Sequence, residues 1–171
     1  TLGLGGKVST NFSFTIDYYS INVKDRIVLS TEIGPTDAGN TALDKILEDN
    51  NLSDLSFFVN AIDTKTSGLD VVFTYDKLEV GNGKLGFNLS GNYTIANERD
   101  GAVKNPTLVA DAGQSVVNDT QEALFFTSRP KTKWILGANY DIGKFGLSLN
   151  NTYFGKTTFK QQGLDANLRT E

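Results

Sequence analysis

The sequence contains neither cysteine nor histidine, and only three of its 171 residues are proline. Without cysteine, a disulfide framework, a thiolate zinc site and a cysteine nucleophile are all excluded. Without histidine, the commonest general base and the commonest transition-metal ligand are missing. We therefore expect a protein that is not an enzyme and that needs no cofactor and no bound metal.

Long apolar runs and an excess of basic residues are also absent. The longest apolar run is four residues, Ala123 to Phe126, so no transmembrane helix is predicted. Lysine and arginine total 16 against 20 aspartate and glutamate, a net charge of -4, which argues against nucleic acid as a partner. The start at Thr1, with neither an initiator methionine nor a signal-type apolar region, predicts either a removed signal or an excised piece of a longer protein, and we favour the second.

What the sequence does contain is alternation of apolar and polar side chains with period two, the period of a β-strand. Five segments show this alternation. Their apolar positions are Phe12, Phe14, Ile16 and Tyr18; Leu69, Val71, Phe73 and Tyr75; Leu85, Phe87, Leu89, Tyr93 and Ile95; Trp134, Leu136, Ala138, Tyr140 and Ile142; and Phe145, Leu147, Leu149 and Tyr153. We expect the first strand to run on to about Leu29, and the second to be one long strand from Phe57 to Tyr75.

Short and long connections alternate between these strands. Gly81-Asn82-Gly83 and Gly143-Lys144 predict tight hairpin turns, whereas residues 30–55 and 97–130 are long polar stretches. The first long stretch contains one predicted short helix over residues 40–50, capped by Asn40 or Thr41. Its apolar stripe is Ala42, Leu43, Ile46 and Leu47. Residues 97–122, with mixed charge and glycine, predict a mobile surface loop.

Two architectures fit this pattern. A soluble β-sandwich would bury the apolar face of each strand in a core, and would suggest a binding module such as an adhesin or a carbohydrate-binding domain. Short turns at one end and long loops at the other, with aromatic side chains near the strand ends, are typical of outer-membrane barrels. The polar faces are rich in Asn, Ser, Thr and Gly and poor in Lys and Glu, which favours a barrel lumen over a solvent-exposed sheet.

Three segments resemble a known family. They are Phe14 to Ile27, with its Asp17-Tyr18-Tyr19 and Lys24-Asp25-Arg26-Ile27; Phe57 to Asp70, with Asn60, Gly68 and Asp70 at typical positions; and Ser128 to Gly146, with Arg129-Pro130-Lys131. In order and spacing they resemble the C-terminal β-barrel of TonB-dependent outer-membrane receptors of the Bacteroidetes type. The resemblance covers about residues 8–160.

The resemblance implies an all-β fold: an antiparallel β-meander that forms a partial segment of a 22-stranded transmembrane barrel, with one short helix in a loop. Residues 1–171 would be a single segment of about five or six strands, with no plug domain and no TonB box. The final residues Leu168 to Glu171 lack the terminal aromatic of such barrels, which suggests a fragment from the later part of the barrel.

The implied function is that of an outer-membrane receptor and transporter. The segment would contribute barrel wall and extracellular loops to TonB-energised nutrient uptake, of a ferric siderophore or similar. The implied partners are the plug domain and the remaining barrel of the same receptor, outer-membrane lipid, the TonB complex through the absent N-terminal part, and the nutrient ligand. The location is the outer membrane of a Gram-negative cell.

No ligand-binding residue is assigned from the sequence, but several candidates follow from the pattern. Asp17, Asp70 and Asp76 are expected on the polar face, either bonded to a plug or simply solvated, and Gly68 is expected to bend the strand. Arg129, Lys131 and Lys133 form a local basic cluster. This cluster is either a solvated surface or an attractor for an anion such as a ferric siderophore or lipopolysaccharide phosphate.

The two long stretches, 30–55 and 97–122, are the expected ligand-facing regions. The acidic residues Asp111, Asp119 and Glu122 raise the question of a calcium site, although their spacing matches no EF-hand loop.

Overall fold

The computed structural model describes residues 1–37, 39, 41–160 and 167–168. Its main element is one six-stranded sheet in which every strand pairs antiparallel with its neighbour in sequence. The strands are β1 (Leu2–Lys7), β2 (Phe12–Leu29), β3 (Phe58–Val80), β4 (Gly83–Arg99), β5 (Thr132–Ile142) and β6 (Phe145–Phe154). Two short strands, β7 (Phe159–Lys160) and β8 (Asn167–Leu168), form a separate pair. The predicted all-β meander is therefore confirmed.

The strand ends agree closely with the sequence pattern. β2 ends at Leu29 as predicted, and the two tight turns fall at Gly81–Asn82 and Gly143–Lys144. Both turns need glycine, because Gly81 and Gly143 each have φ of 58°, which side-chain-bearing residues rarely adopt. β3 is longer than expected, reaching Val80, and β1 was not predicted.

The pairing register lines up the apolar residues in rows across one face of the sheet. One such row consists of Phe14, Phe73, Leu89 and Leu136. The opposite face carries rows of polar residues, among them Asp17, Asp70, Asn92 and Lys133. We call these the apolar face and the polar face.

The apolar face is exposed. Leu4, Leu147 and Leu149 keep 66%, 69% and 67% of their surface accessible, and Tyr93 and Leu136 each keep 49%. This is the opposite of what the sandwich alternative requires, since a sandwich would bury these side chains against a second sheet.

The buried apolar core lies instead above one end of the sheet, within the two long connections. We call residues 30–57 and 100–131 together the loop cap. They contain α1 (Ala42–Asp49), α2 (Thr107–Asp111), α3 (Asp119–Glu122) and a π-helical turn (Ala123–Thr127). The core unites both connections with the ends of β2 and β3, and consists of Val28, Ile33, Leu43, Leu47, Ala61, Ile62, Val109, Val116, Val117 and Phe126.

The loop cap corrects one expectation and refines another. Residues 97–122 are not a mobile loop, because Val109, Val116 and Val117 are buried and the Thr31 N–H donates to the Val116 carbonyl at 2.9 Å. The predicted short helix is α1, capped by Thr41, whereas Asn40 lies outside the described residues. The helical turns of the second connection were not predicted.

Leu43 and Leu47 form the buried stripe of α1, while Ile46 is 42% exposed. Among the described residues, no helix has both the length and the apolar character needed to cross a membrane.

Candidate functional site

A cavity of about 350 Å³ lies where the polar face of the sheet meets the loop cap. Its sheet side is formed by Thr66 of β3 with Thr94 and Asn97 of β4. Its cap side is formed by the π-helical turn and the residues that lead from it into β5. The volume is within the usual range for small-molecule sites, about 300–1,000 Å³.

Asn97 holds the π-helical turn over the sheet. Its Nδ2 donates to the carbonyl oxygens of Phe125 at 3.2 Å and Phe126 at 3.4 Å, and its Oδ1 accepts from Thr66 Oγ1 at 3.2 Å. Phe125 and Phe126 both line the cavity, and Phe126, only 8% exposed, also belongs to the core of the loop cap. Phe125 is partly buried and packs against that core.

Three cationic residues share this cavity with Phe125. They are Arg26, Arg129 and Lys131, and none of the other lining residues in the described ranges is Asp or Glu. Arg26 stands at an irregularity in the β2–β3 register, and its guanidinium carbon lies 5.8 Å from the centroid of the Phe125 ring, a cation–π contact.

The positive charge of the cavity is not balanced by a salt bridge. Among the described residues, the ion pairs involve other cations: Arg99 with Glu122, and Lys104 with two aspartates. A concave surface lined by charge of one sign focuses the electric field and raises the local concentration of counter-ions. The arrangement is thus suited to hold an anion.

The structure divides the predicted basic cluster. Arg129 and Lys131 meet in the cavity, whereas Lys133 lies elsewhere on the polar face, with its Nζ 5.3 Å above the ring of Phe154. Arg26 was missed as a site residue because it is far away in sequence, and only the pairing of β2 with β3 and the return of the second connection bring it close.

The predicted acidic residues lie on the polar face outside the cavity. Asp17 and Asp70 are register partners, and Asn92 Nδ2 donates to Asp70 Oδ1 at 2.6 Å and to the hydroxyl of Tyr19 at 3.2 Å. Asp76 is near the short-turn end of the sheet, where its N–H donates to the carbonyl of Asn11 at 2.8 Å.

The possible calcium site is not formed. Glu122 is paired with Arg99 at 2.6 Å, and in the described ranges no three Asp or Glu residues come together in a group able to hold a metal ion.

A second charged group fastens the loop cap to the sheet. Lys104 Nζ lies 2.6 Å from Asp25 Oδ1 and 2.6 Å from Asp63 Oδ1, and the Asp25 N–H donates to Asp63 at 2.7 Å. The hydrogen bond from Lys104, followed by that from the Asp25 N–H, lowers the pKa of Asp63. The bonds to Asp25 and Asp63, in that order, raise the pKa of Lys104.

A third polar group starts α1. The Asp44 carboxylate accepts from the N–H and hydroxyl of Thr36 at 2.6 and 2.7 Å and from the N–H and hydroxyl of Thr41 at 2.7 and 2.7 Å. The backbone bond from Thr36 is the largest cause that holds the pKa of Asp44 far below its ordinary value, followed by the hydroxyl of Thr41. Together with the Thr41 cap this is a capping box.

A long antiparallel meander with an exposed apolar face, a polar face and loops gathered at one end is typical of the wall of an outer-membrane β-barrel. The sequence model of the TonB-dependent receptor-like β-barrel family matches residues 2–170, and the chain belongs to this family. Members are receptors and transporters of the outer membrane, not enzymes, and full-length members act with a plug domain and with TonB. Comparison with curated proteins and with solved structures gave no match.

Proposed function

We propose that this chain supplies wall strands and two extracellular loops to the TonB-energised uptake of a nutrient, a ferric siderophore or similar, across the outer membrane. The observation that carries the proposal is the division of one sheet into an exposed apolar face and a polar face, with the loop cap beyond one end.

The apolar face has the dimensions of a membrane-spanning band. On β3 the outward apolar positions extend from Leu69 to Leu78, ten residues, and a tilted transmembrane strand needs about 9–11. Beyond Leu69 the same strand continues through Ser67 and Lys65, which suit water better than lipid. In this proposal, outer-membrane lipid covers the apolar face and the loop cap lies outside the cell.

The polar face then lines the lumen and meets the plug domain. Asp17 and Asp70 give it carboxylates next to the amide of Asn92, and these groups can bond a plug or border the route of the nutrient. In the complete receptor the loops bind the nutrient, the plug closes the lumen, and energy delivered through TonB moves the plug.

The free sheet edges indicate how the segment is completed. In the described part of the chain, the outer edges of β1 and β6 have no partner strand. Unpaired edges expose backbone N–H and C=O groups that readily pair with another strand, and a closed barrel removes such edges. We propose that residues 1–171 are one wall segment, and that the remaining barrel strands of the same receptor pair with β1 and β6.

The test is uptake by living cells that carry or lack the full-length receptor. Under iron limitation, deletion of its gene should abolish accumulation of radioactive iron from at least one ferric siderophore, and loss of TonB should do the same while surface binding persists. Uptake that is unchanged without TonB would contradict the proposal that TonB supplies the energy for transport. Normal iron uptake with loss of another nutrient would contradict the siderophore assignment and leave the transport role intact.

A further inference from the structure

We infer that the loop cap and the tips of β2 and β3 form one rigid head, and that this head pivots on the barrel wall as a lid over the lumen. The head consists of residues 26–62 and 102–127, and its junction with the wall lies at Asp25, Asp63 and Gly101. The role as a lid rests on the proposed function, in which the polar face lines the lumen, whereas the pivot itself does not depend on it.

The apolar core holds the head together. Besides residues of the loop cap, the core includes Val28 of β2 with Ala61 and Ile62 of β3, which are at most 5% exposed. In the described ranges, neither β4 nor the parts of β2 and β3 nearer the apolar band contribute a side chain to this core. The apolar interior therefore ends at the junction, and the tips of two strands belong to the head rather than to the wall.

The sheet is narrow and irregular at the junction. β4 pairs with β3 only as far as Thr64, so that beyond this residue the sheet is reduced to the two-stranded β2–β3 ribbon. The register of this ribbon shifts on both sides of Arg26, where Asp25 has φ of 53°, and strands bend at such bulges. The chain leaves β4 through Gly101, whose φ of 88° suits glycine alone. Both crossings thus have the backbone features of a hinge.

The bonds that tie the head to the wall are polar. They are the bonds from Asn97 to the π-helical turn, the ion pair of Arg99 with Glu122, and the bridge from Lys104 to two aspartates. We call Asn97, Arg99 and Lys104 the seam. The side chains of Arg99 and Lys104 are 29% and 44% exposed, and ion pairs open to water add little net stability. Opening the seam therefore costs less than opening the core, and the head moves as a whole before it comes apart.

The head leans toward the polar face. Thr94 and Asn97 lie on that face, and the π-helical turn is held against them with the 350 Å³ cavity between. Rotation about the junction therefore widens or closes the space between head and wall on the side of the lumen, and the formed seam corresponds to the closed position. Thr158, in the connection after β6, exchanges bonds of 2.6 and 3.0 Å with Thr127 and moves with the head.

Spin-label distances measured by electron paramagnetic resonance test the pivot in the purified full-length receptor. This chain has no cysteine, and any cysteine elsewhere in the receptor is replaced. Labels at K45C and K144C report the distance from head to wall, because Lys45 is exposed on α1 and Lys144 is exposed in the β5–β6 turn. Labels at K45C and D111C, the latter exposed on α2, report a distance within the head.

Opening the seam should change only the first distance. The variant N97A/R99Q/K104M should broaden the head-to-wall distribution at least twofold and leave the distribution within the head unchanged. E122Q, which breaks one ion pair alone, should broaden the head-to-wall distribution by less. K65M is the matched control, since Lys65 is an exposed cation of β3 on the wall side of the junction, and it should change neither distance.

Two results would overturn the pivot. One is an unchanged head-to-wall distribution in both seam variants, with the barrel shown folded by its heat-modifiable electrophoretic mobility. The other is equal broadening of both distributions, because it would show a loosened cap instead of a rigid head.

A reversible staple tests the role as a lid. In R99C/E122C, a short bis-methanethiosulfonate cross-linker joins two positions whose side chains meet at 2.6 Å in the original protein. Uptake of radioactive iron from ferric siderophores should fall at least tenfold and recover when a reductant cleaves the linker. Undiminished uptake by the stapled receptor would overturn the lid. Absence of TonB-dependent uptake by the unmodified receptor would instead contradict the proposed function, and the spin-label distances would still decide the pivot.

Discussion

Tyr19 of β2 lies across Gly68 of β3 on the polar face of the sheet. A Cβ built on Gly68 would stand 2.6 Å from ring carbon Cζ of Tyr19 and 2.6 Å from the carbonyl oxygen of Tyr93. The register between β3 and β4 is irregular between Ser67 and Gly68, at the point where this ring is accommodated. The predicted bend at Gly68 is therefore a change in strand pairing, coupled to close packing of an aromatic ring.

Replacing Gly68 by alanine should consequently lower the thermal stability of the receptor. The added methyl group meets a ring and a backbone oxygen, and forced overpacking of this kind costs about 1–3 kcal/mol. The midpoint of heat-induced loss of the compact electrophoretic form measures the effect. Gly34→Ala is the control, because its nearest neighbour, Ser53 O, is at an ordinary 3.7 Å. Tyr19→Ala should restore part of the loss in the Gly68→Ala background, and equal midpoints for G68A and G34A would contradict this account.

The two faces of β6 offer a matched pair of substitutions. Leu149 is on the apolar face opposite Ala138, and Ser148 is on the polar face opposite Asn139. If lipid covers the apolar face, Leu149→Lys should reduce folding stability in bilayers by about 2–4 kcal/mol near the bilayer middle and by less toward the interface. Ser148→Lys should be tolerated. Denaturant titration of full-length receptor in lipid vesicles compares them, and similar stability of the two variants would exclude a lipid-facing Leu149.

The start of α1 should be sensitive to acid. Because the folded pKa of Asp44 lies below the ordinary value of about 3.9, its carboxylate contributes stability at higher pH and loses that contribution as the pH falls below about 4. Amide-exchange protection factors over Leu43 to Leu47 should therefore be flat from pH 7 to 5 and decrease in more acidic solution. Asp44→Asn should lower protection already at pH 7.

The control for this experiment is Asp49→Asn at the other end of the helix, where the side chain is exposed. It should leave the protection of α1 and its acid response unchanged. An acid response in the Asp44→Asn variant as large as in the original protein would show that another group is responsible.

Lys104 should hold the second connection against β3. Its backbone N–H donates to the carbonyl of Ala61 at 2.7 Å while its side chain bridges Asp25 and Asp63. Lys104→Met should speed exchange of this amide only a few-fold, because the pairs are partly exposed, and Lys104→Arg should preserve most of its protection.

The pH profile gives an independent check on this bridge. The pKa of Asp63 is lowered, so its contribution is lost as the pH falls below about 4, and that of Lys104 is raised, so its contribution is lost as the pH rises above about 10. Protection of the Lys104 amide should be constant between these limits. Exposed Lys144→Met in the β5–β6 turn is the control, and a loss of protection equal to that of Lys104→Met would rule out a specific bridge.

The sheet was largely predictable because strand faces and hairpin turns depend on residues that are close together in the sequence. The end of β2 at Leu29 and the turns at Gly81 and Gly143 needed only period-two alternation and turn residues. β1 was not predicted because Gly3 and Gly5 stand at its polar-face positions, and glycine is depleted in strands. Its Leu2 and Leu4 do alternate, and this was the signal that could have revealed it.

The loop cap and the cationic cavity were not predictable in the same way. The core joins residues such as Ile33, Ala61 and Val116 from three separate stretches, and no local pattern shows that they meet. Likewise Arg129 and Lys131 were recognised as basic neighbours, but their partner Arg26 belongs to another strand. Such contacts depend on the pairing of segments that are far apart in the chain, and the local patterns of a single sequence do not show which segments pair.

The shared interior of the loop cap has a mechanical consequence. Ile33 of the first connection and Val116 of the second are both fully buried in it. If either connection moved outward alone, both buried side chains would become exposed to water, which is unfavourable for apolar groups. The two connections must therefore move together as one body, and a molecule that binds to either connection will affect the position of both.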